Sequence, residues 1–445
     1  MKTIWFEQAL LPDGWASAVR VGIADGRIAT IEAGTDAQFE DARYVTALPG
    51  LPNLHSHSFQ RLMAGLAEAP SGPAHDDFWS WRELMYRLVG GLTPDDVAAI
   101  AAMAFVEMLE AGFTRVGEFH YLHHQSDGVG YGDPATMAAA IASAAEETGI
   151  ALTLLPVFYA HAGFGGLVPH VSQRRFVNNI DGFAALLEAS RCAVNRLADG
   201  IVGVAPHSLR AVTPEELVML VEMASGVPIH LHISEQEKEV DDCLAWCGQR
   251  PVAWLLDNAP VDARWCLIHA THVSKDEVAA IAARGAVVGL CPITEANLGD
   301  GIFPADAFLA AGGTFGIGSD SNVRIDAAEE LQLLEYGQRL SLRKRNVLTS
   351  AGMSTGRTLF ECATIGGGKA LGQAAAIALG QAADLVALSG VPFGDRTLDR
   401  WIFAGGGPAV ESVWRRGVQV VSNGRHHARD EIAARFTRVA ARLLQ

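Results

Sequence analysis

The segment Leu51-Pro52-Asn53-Leu54-His55-Ser56-His57 ends an apolar run with two imidazoles two positions apart. In an extended strand alternate side chains share a face, roughly 6.5 Å apart along the backbone, so His55 and His57 can reach one ion together. Three later runs end in groups of the same kind. His230-Leu231-His232-Ile233-Ser234-Glu235 carries two histidines on one face, His232 nearer the end, with a carboxylate three residues further on. Another run ends at His269, and Gly316-Ile317-Gly318-Ser319-Asp320 ends in an aspartate. Taken singly, each has an ordinary structural use: a buried histidine is commonly a hydrogen-bonded core residue, and an aspartate after a strand commonly caps or turns the chain. Taken together, imidazoles and carboxylates at strand ends are a donor set for a divalent ion. Zinc takes such ligands, iron(II) accepts the same ones, and the sequence does not choose between them. Cys243 and Cys247, four apart on an expected helix, are read instead as two core-facing thiols. Six cysteines with no CxxC spacing imply reduced, mostly buried side chains.

These groups converge only if the runs that carry them are strands of one sheet, opening at one end. Eight β-prone runs can be named, at 48–57, 115–121, 151–161, 201–208, 228–233, 265–270, 286–291 and 314–319, with helix signals between most of them. Thr93-Pro94-Asp95-Asp96 combines a capping residue, a proline suited to the first turn and two carboxylates at the positive end of the helix dipole. Thr213-Pro214-Glu215-Glu216 repeats that opening. Eight β-then-α units predict an α/β fold, a (β/α)8 TIM barrel over 48–374, whose chemistry sits at the C-terminal strand ends. Residues 1–47 and 375–424 read differently, as short alternating strands with glycine turns at 18–23, 28–32, 384–388 and 418–421. They are expected to pack together as a small β-sandwich domain, followed by a C-terminal helix within 425–445. Gly366-Gly367-Gly368-Lys369 lacks the spacing of a phosphate loop and is read as a turn beside a helix.

Composition narrows the class. With 49% hydrophobic and 19% charged residues the chain is globular, and its formal net charge of −16 argues against a nucleic-acid partner. No stretch of 18 apolar residues occurs and the first residues hold no secretory-type apolar run, so no membrane association and a cytoplasmic location are expected. A homodimer is the default for such an enzyme. His75, His161, His170, His426 and His427 are read as solvent-facing or hydrogen-bonded bystanders.

The pattern HSH, HxxE, H and SD resembles the strand one, five, six and eight signatures of the amidohydrolase superfamily, in its branch of mononuclear deaminases. The resemblance implies one divalent ion held by His55, His57, His232 and Asp320, with Glu235 and His269 serving proton transfer and the transition state. Binuclear relatives bridge two ions with a carboxylated lysine on strand four; this chain has no lysine between Lys2 and Lys238, so one ion is expected. Coordination would bring a water pKa near ~7. Glu235 would then pass a proton to the leaving nitrogen, Asp320 would take one from the attacking water, and His269 would steady the attack.

Four longer blocks narrow the resemblance. They are the stretch from Leu51 to Arg61, Phe78-Trp79-Ser80-Trp81-Arg82-Glu83-Leu84-Met85-Tyr86, Glu118-Phe119-His120-Tyr121-Leu122-His123-His124 and Ala205-Pro206-His207-Ser208-Leu209-Arg210. They are similar to the formimidoylglutamate deiminases, which the resemblance implies would hydrolyse N-formimino-L-glutamate to N-formyl-L-glutamate and ammonia in histidine degradation. A dicarboxylate suits guanidinium partners, and Arg82 and Arg210 are the candidates; the resemblance adds Gln60, Tyr121 and His207 as hydrogen-bonding groups. Two other readings stay open: a deaminase of the same branch acting on a purine or other heterocycle, and a non-catalytic barrel serving as a scaffold.

Overall fold

The computed structural model describes residues 2–69 and 78–444. Eight parallel strands form a ring, in chain order Leu51–Ser56, Phe113–His120, Ala151–Phe158, a broken fourth strand Ile201–Val202 with Ala205–Pro206, Ile229–Ile233, Trp265–His269, Val287–Leu290 and Thr314–Ile317. The first four and the last four make two hydrogen-bonded arcs. Parallel bridges Val204–Ile229 and Ser208–His232 join them on one side, and Ser56–Asp320 closes the ring on the other. Most of the strands are buried along their whole length, as parallel strands covered on both faces must be. Thr93 and Thr213 both cap their helices as their sequences predict: each side chain accepts from the amide three residues on, and that residue's carboxylate bonds back.

The third strand stops at Phe158, short of the expected 151–161, and the first and fourth differ in extent at a glycine. The first barrel strand begins at Leu51, because Ala42–Pro49 runs parallel to Lys2–Leu11 and antiparallel to Leu385–Leu388 in the other sheet. Gly50 is where the chain changes sheets, and a Cβ there would lie 2.1 Å from Thr114 Oγ1. The fourth strand is interrupted at Gly203, where a Cβ would come within 2.7 Å of the Pro228 carbonyl oxygen. The glycine run also departs from expectation. Gly366, Gly367 and Gly368 lie inside the helix Thr355–Ala370, not at a turn beside it. That helix packs so closely on the barrel that a Cβ on Gly366 would sit 1.9 Å from the Phe315 carbonyl oxygen.

Strands from both ends of the chain join one eight-stranded sheet, with its own core of Ile4, Phe6, Val19, Val21, Leu385 and Trp414. Arg115, Asp199, Asp384 and Arg415 form a nearly buried ion-pair network between this sheet and the underside of the barrel. The last helix, Arg429–Leu443, lies against Pro94–Glu110. It buries Ile432 and pairs Arg429 with Glu110 and Arg442 with Asp96. Among the described residues no helix is long and apolar enough to cross a membrane.

Candidate active site

His55 comes from within the first barrel strand and His57 from the residue just past its end; His232 comes from the fifth strand, and Asp320 from three residues past the eighth. Their ligand atoms all lie within 4.8 Å of one another, and all four residues are buried. His55 Nε2 is 3.1 Å from His232 Nε2, and Asp320 Oδ1 is 3.4 Å from His55 Nε2 and 3.3 Å from His57 Nε2. The tautomers of two rings follow from their outer partners. His57 Nδ1 lies 2.9 Å from the Phe119 carbonyl oxygen and His232 Nδ1 lies 3.1 Å from that of His207. A carbonyl only accepts, so each Nδ1 holds the proton and each Nε2 turns a lone pair inward. Burial, reinforced by the neighbouring imidazoles, keeps His55 and His232 well below the usual histidine pKa; burial lowers His57 too, against the pull of Asp320. Neutral imidazoles and a carboxylate facing one point repel each other unless a cation lies between them, so the donor set fits a divalent ion.

A second tier of groups surrounds this cluster. His269, the last residue of the sixth strand, holds Nε2 3.9 Å from Asp320 Oδ2 and 3.8 Å from Glu235 Oε1. Its Nδ1 is 3.2 Å from Glu295 Oε1, an oxygen that also accepts from the Cys291 amide. Burial opposes a charge on His269, but Glu235, Glu295 and Asp320 outweigh it and push its pKa up to about 10. Burial raises Glu235 to about 7, against the attraction of His269 and Arg210. Ser234, His269, Ala270, Asp320 and Asn322 all adopt left-handed backbone conformations, with φ between 43° and 67°. Non-glycine residues pay for such geometry, and here the cost falls at three strand ends that turn side chains inward.

Above the cluster opens a cavity whose lining includes His57, His207, His232, Glu235, His269 and Asp320. Every other residue singled out for the substrate faces the same space: Gln60, Arg82, Tyr121 and Arg210. Gln60 Nε2 donates to the Tyr121 hydroxyl at 2.8 Å. The Arg82 guanidinium stacks 4.4 Å above the Trp79 ring, and its buried Nε has no hydrogen-bond partner among the described residues. Arg210, with a side chain 12% exposed, lies 3.9 Å from a carboxylate oxygen of Glu235 and 3.9 Å from one of Glu239. Both guanidiniums act on His207, which burial holds well below its usual pKa and which they depress further. Two cations therefore face one pocket wall.

Other histidines sort away from the site. His230 bonds the Ala370 carbonyl through Nε2 at 2.8 Å, so His232 alone of that pair faces the cluster. His161 pairs with Glu216, and His426 is buried against the Thr148 carbonyl; His75 lies outside the described residues. Cys243 and Cys247 keep their sulfurs 4.0 Å apart on one helical face and join no metal-binding group among the described residues. Sequence reasoning missed Glu239, Glu295, Tyr86 and Tyr159. Glu295 is the fourth residue of the short helix Pro292–Leu298 after the seventh strand, and only its contact with His269, 26 residues away, gives it meaning. Tyr86 and Tyr159 line the pocket and share a donor, Gln173 Nε2. Tyr86 ends the aromatic block that begins at Phe78, the one signal in the sequence that pointed to it.

Comparison with known proteins agrees with this geometry. The profile of the amidohydrolase family matches residues 46–420, and that of "Formimidoylglutamate deiminase HutF, N-terminal domain" matches residues 1–44. The chain is 50% identical to a formimidoylglutamate deiminase of Pseudomonas aeruginosa over 100% of both chains. It is 29% identical to a 5-methylthioadenosine/S-adenosylhomocysteine deaminase of Natronomonas pharaonis over 78% of this chain and 73% of that protein. The crystal structure of an amidohydrolase from Brucella melitensis superposes with a TM-score of 0.98 at 52% identity, covering 100% of each chain. An adenosine deaminase from Xanthomonas campestris with bound zinc gives a TM-score of 0.80 at 22% identity over 99% of this chain and 98% of that one, a likeness of fold.

Proposed function

This chain belongs to the amidohydrolase family, and from that premise we infer that it hydrolyses N-formimino-L-glutamate to N-formyl-L-glutamate and ammonia, a step of histidine degradation. The observation that carries the substrate assignment is the pair of guanidiniums, Arg82 and Arg210, facing the same cavity as the His/Asp cluster. A dicarboxylate supplies one partner for each, whereas a flat, neutral purine would offer neither guanidinium a carboxylate.

In this reading His55, His57, His232 and Asp320 would hold one zinc ion, a choice supported by three imidazoles and one carboxylate whose ligand atoms lie within 4.8 Å of one another. When bound, the ion supplies a water acidic enough to attack at neutral pH. The rest is the work of the chain. Arg210 and Arg82 bind the two carboxylates, and Gln60, Tyr121 and His207 add hydrogen bonds that fix the glutamate skeleton. The formimino group is an amidine, cationic at neutral pH, and its charge pairs with Glu235. The water oxygen adds to the formimino carbon and its proton passes to Asp320 Oδ2, the oxygen turned toward His269. His269, held by Glu295, keeps a positive charge beside the oxygen as it adds. Glu235, its charge no longer needed by the amidine, takes the remaining proton of the added oxygen and, with a carboxyl poised near neutrality, delivers it to the terminal nitrogen, while the proton on Asp320 returns to solvent. The bond from carbon to that nitrogen breaks, ammonia leaves, and the formyl C=O forms.

Ammonia release from N-formimino-L-glutamate, guanine and 5′-methylthioadenosine, measured side by side on the purified zinc-loaded protein, tests the assignment. The formimino substrate should turn over at least a thousandfold more efficiently, on the order expected when a site's buried charged groups are left unpaired by the wrong ligand. Faster turnover of either purine would overturn it, and no turnover of any would favour a scaffold.

A further inference from the structure

Glu239 sits on the first turn of the helix Glu237–Cys247, fully buried, yet it lines no part of the cavity. Its carboxylate folds back on the turn that carries Glu235. Oε1 accepts from the Ser234 amide at 3.1 Å and Oε2 from the Glu235 amide at 3.4 Å. Ser234 is one of the left-handed residues at φ 52°, so the turn presents two successive buried N–H groups that the strand ladder cannot use, and Glu239 satisfies both. The same Oε2 lies 3.9 Å from Arg210 Nε, while Glu235 Oε2 lies 3.9 Å from Arg210 Nη2. Arg210 thus stands between two carboxylates at equal range, and its buried Nε forms no hydrogen bond with any described residue. One of its neighbours is the group that must stay free to carry a proton.

We propose that Glu239 is a positioning residue that holds Arg210 toward the substrate's carboxylate and keeps it from closing onto Glu235. The inference rests on the reading of Arg210 as a carboxylate clamp. Glu239 itself touches no substrate. Its fixed charge, tied down by two backbone amides, offsets the attraction of Glu235 and leaves the guanidinium fork uncommitted until a dicarboxylate enters. Without that charge Arg210 has one carboxylate within reach, Glu235, and pairing with it removes the clamp and the proton carrier together.

The test is a double-mutant cycle on the zinc-loaded enzyme, read by the affinity for the product N-formyl-L-glutamate and by KM and kcat for the substrate, with metal content and melting temperature recorded for each variant. Glu239→Gln should weaken product binding and raise KM about tenfold, within the range for coupled neighbours, with metal content unchanged. Arg210→Met should weaken binding more, and adding Glu239→Gln to it should cost nothing further, because the group through which Glu239 acts is gone. Glu239→Asp, which keeps the charge but withdraws it by one methylene, should give an intermediate loss and serves as the test if the Gln variant does not fold. Wild-type affinity in both Glu239 variants, or losses that simply multiply in the double variant, would overturn the inference. Unchanged affinity in Arg210→Met would overturn the clamp reading itself, and this inference with it.

Discussion

Replacing Arg210 by Met keeps the length and apolar stem of the side chain and removes only the guanidinium. In the wild-type pocket the Arg210 side chain is 12% exposed and its guanidinium is flanked by Glu235 and Glu239, so solvent screens little of its interaction with an incoming carboxylate. Charge-assisted hydrogen bonds are worth about 1.5–3 kcal/mol each, and truncating one partner of a buried charge pair costs about 2–5 kcal/mol. A net loss of about 3 kcal/mol is therefore expected, which at about 1.4 kcal/mol per decade is a fall in kcat/KM of roughly 150-fold. The substrate carboxylate is the same in ground and transition states, so the loss should appear mostly as a raised KM. Arg210→Lys keeps the charge without the planar fork and should lose about tenfold. Steady-state ammonia release, with bound zinc measured on the same samples, reads both numbers. A KM for Arg210→Met within threefold of wild type would refute the clamp and the substrate assignment that depends on it.

Glu235→Gln should bind a full complement of zinc and lose about 10²–10⁴-fold in kcat, because the carboxyl that carries the proton to the leaving nitrogen is gone; near-normal turnover with metal in place would contradict its role. Removing the metal with dipicolinate should abolish activity, which equimolar zinc should restore. It should also lower the melting temperature, since a ligand present at a thousand times its Kd stabilises the folded state by about 4 kcal/mol. Activity that persists with metal below about a twentieth of an equivalent, on the order of trace contamination, would exclude the ion from the mechanism. On the last helix, Ile432→Ala should destabilise by about 2–4 kcal/mol, because Ile432 is fully buried. Arg435→Ala, at a half-exposed pair with Glu147, should cost under about 1 kcal/mol. Equal shifts in melting temperature would invert that ranking.

What the sequence revealed, and what it hid, follows from how local each signal is. His55 and His57 were legible because a strand's period of two puts both on one face whatever surrounds it. Asp320 and His269 were legible because they end apolar runs, where a barrel gathers its chemistry. His232 was preferred to His230 because it lies nearer the strand end, and the structure adds that the Ala370 carbonyl occupies His230. Glu295 and Glu239 were hidden because each acts through a partner selected by tertiary packing, and neither ends a strand. The limits of the first and fourth barrel strands were misplaced where Gly50 and Gly203 let the backbone pass close to Thr114 and Pro228. A sequence shows such a glycine but not the neighbour that requires it. The run Gly366–Gly368 looked like a turn beside a helix and is instead the contact face of one.

The most direct test of the account is a single turnover of N-formimino-L-glutamate in water enriched in oxygen-18, followed by mass spectrometry of the product. The account predicts N-formyl-L-glutamate heavier by one labelled oxygen, confined to the formyl group, with one equivalent of ammonia released. Unlabelled product, or loss of the formimino group as formamide with free glutamate left behind, would contradict attack by water on the formimino carbon with departure of its terminal nitrogen.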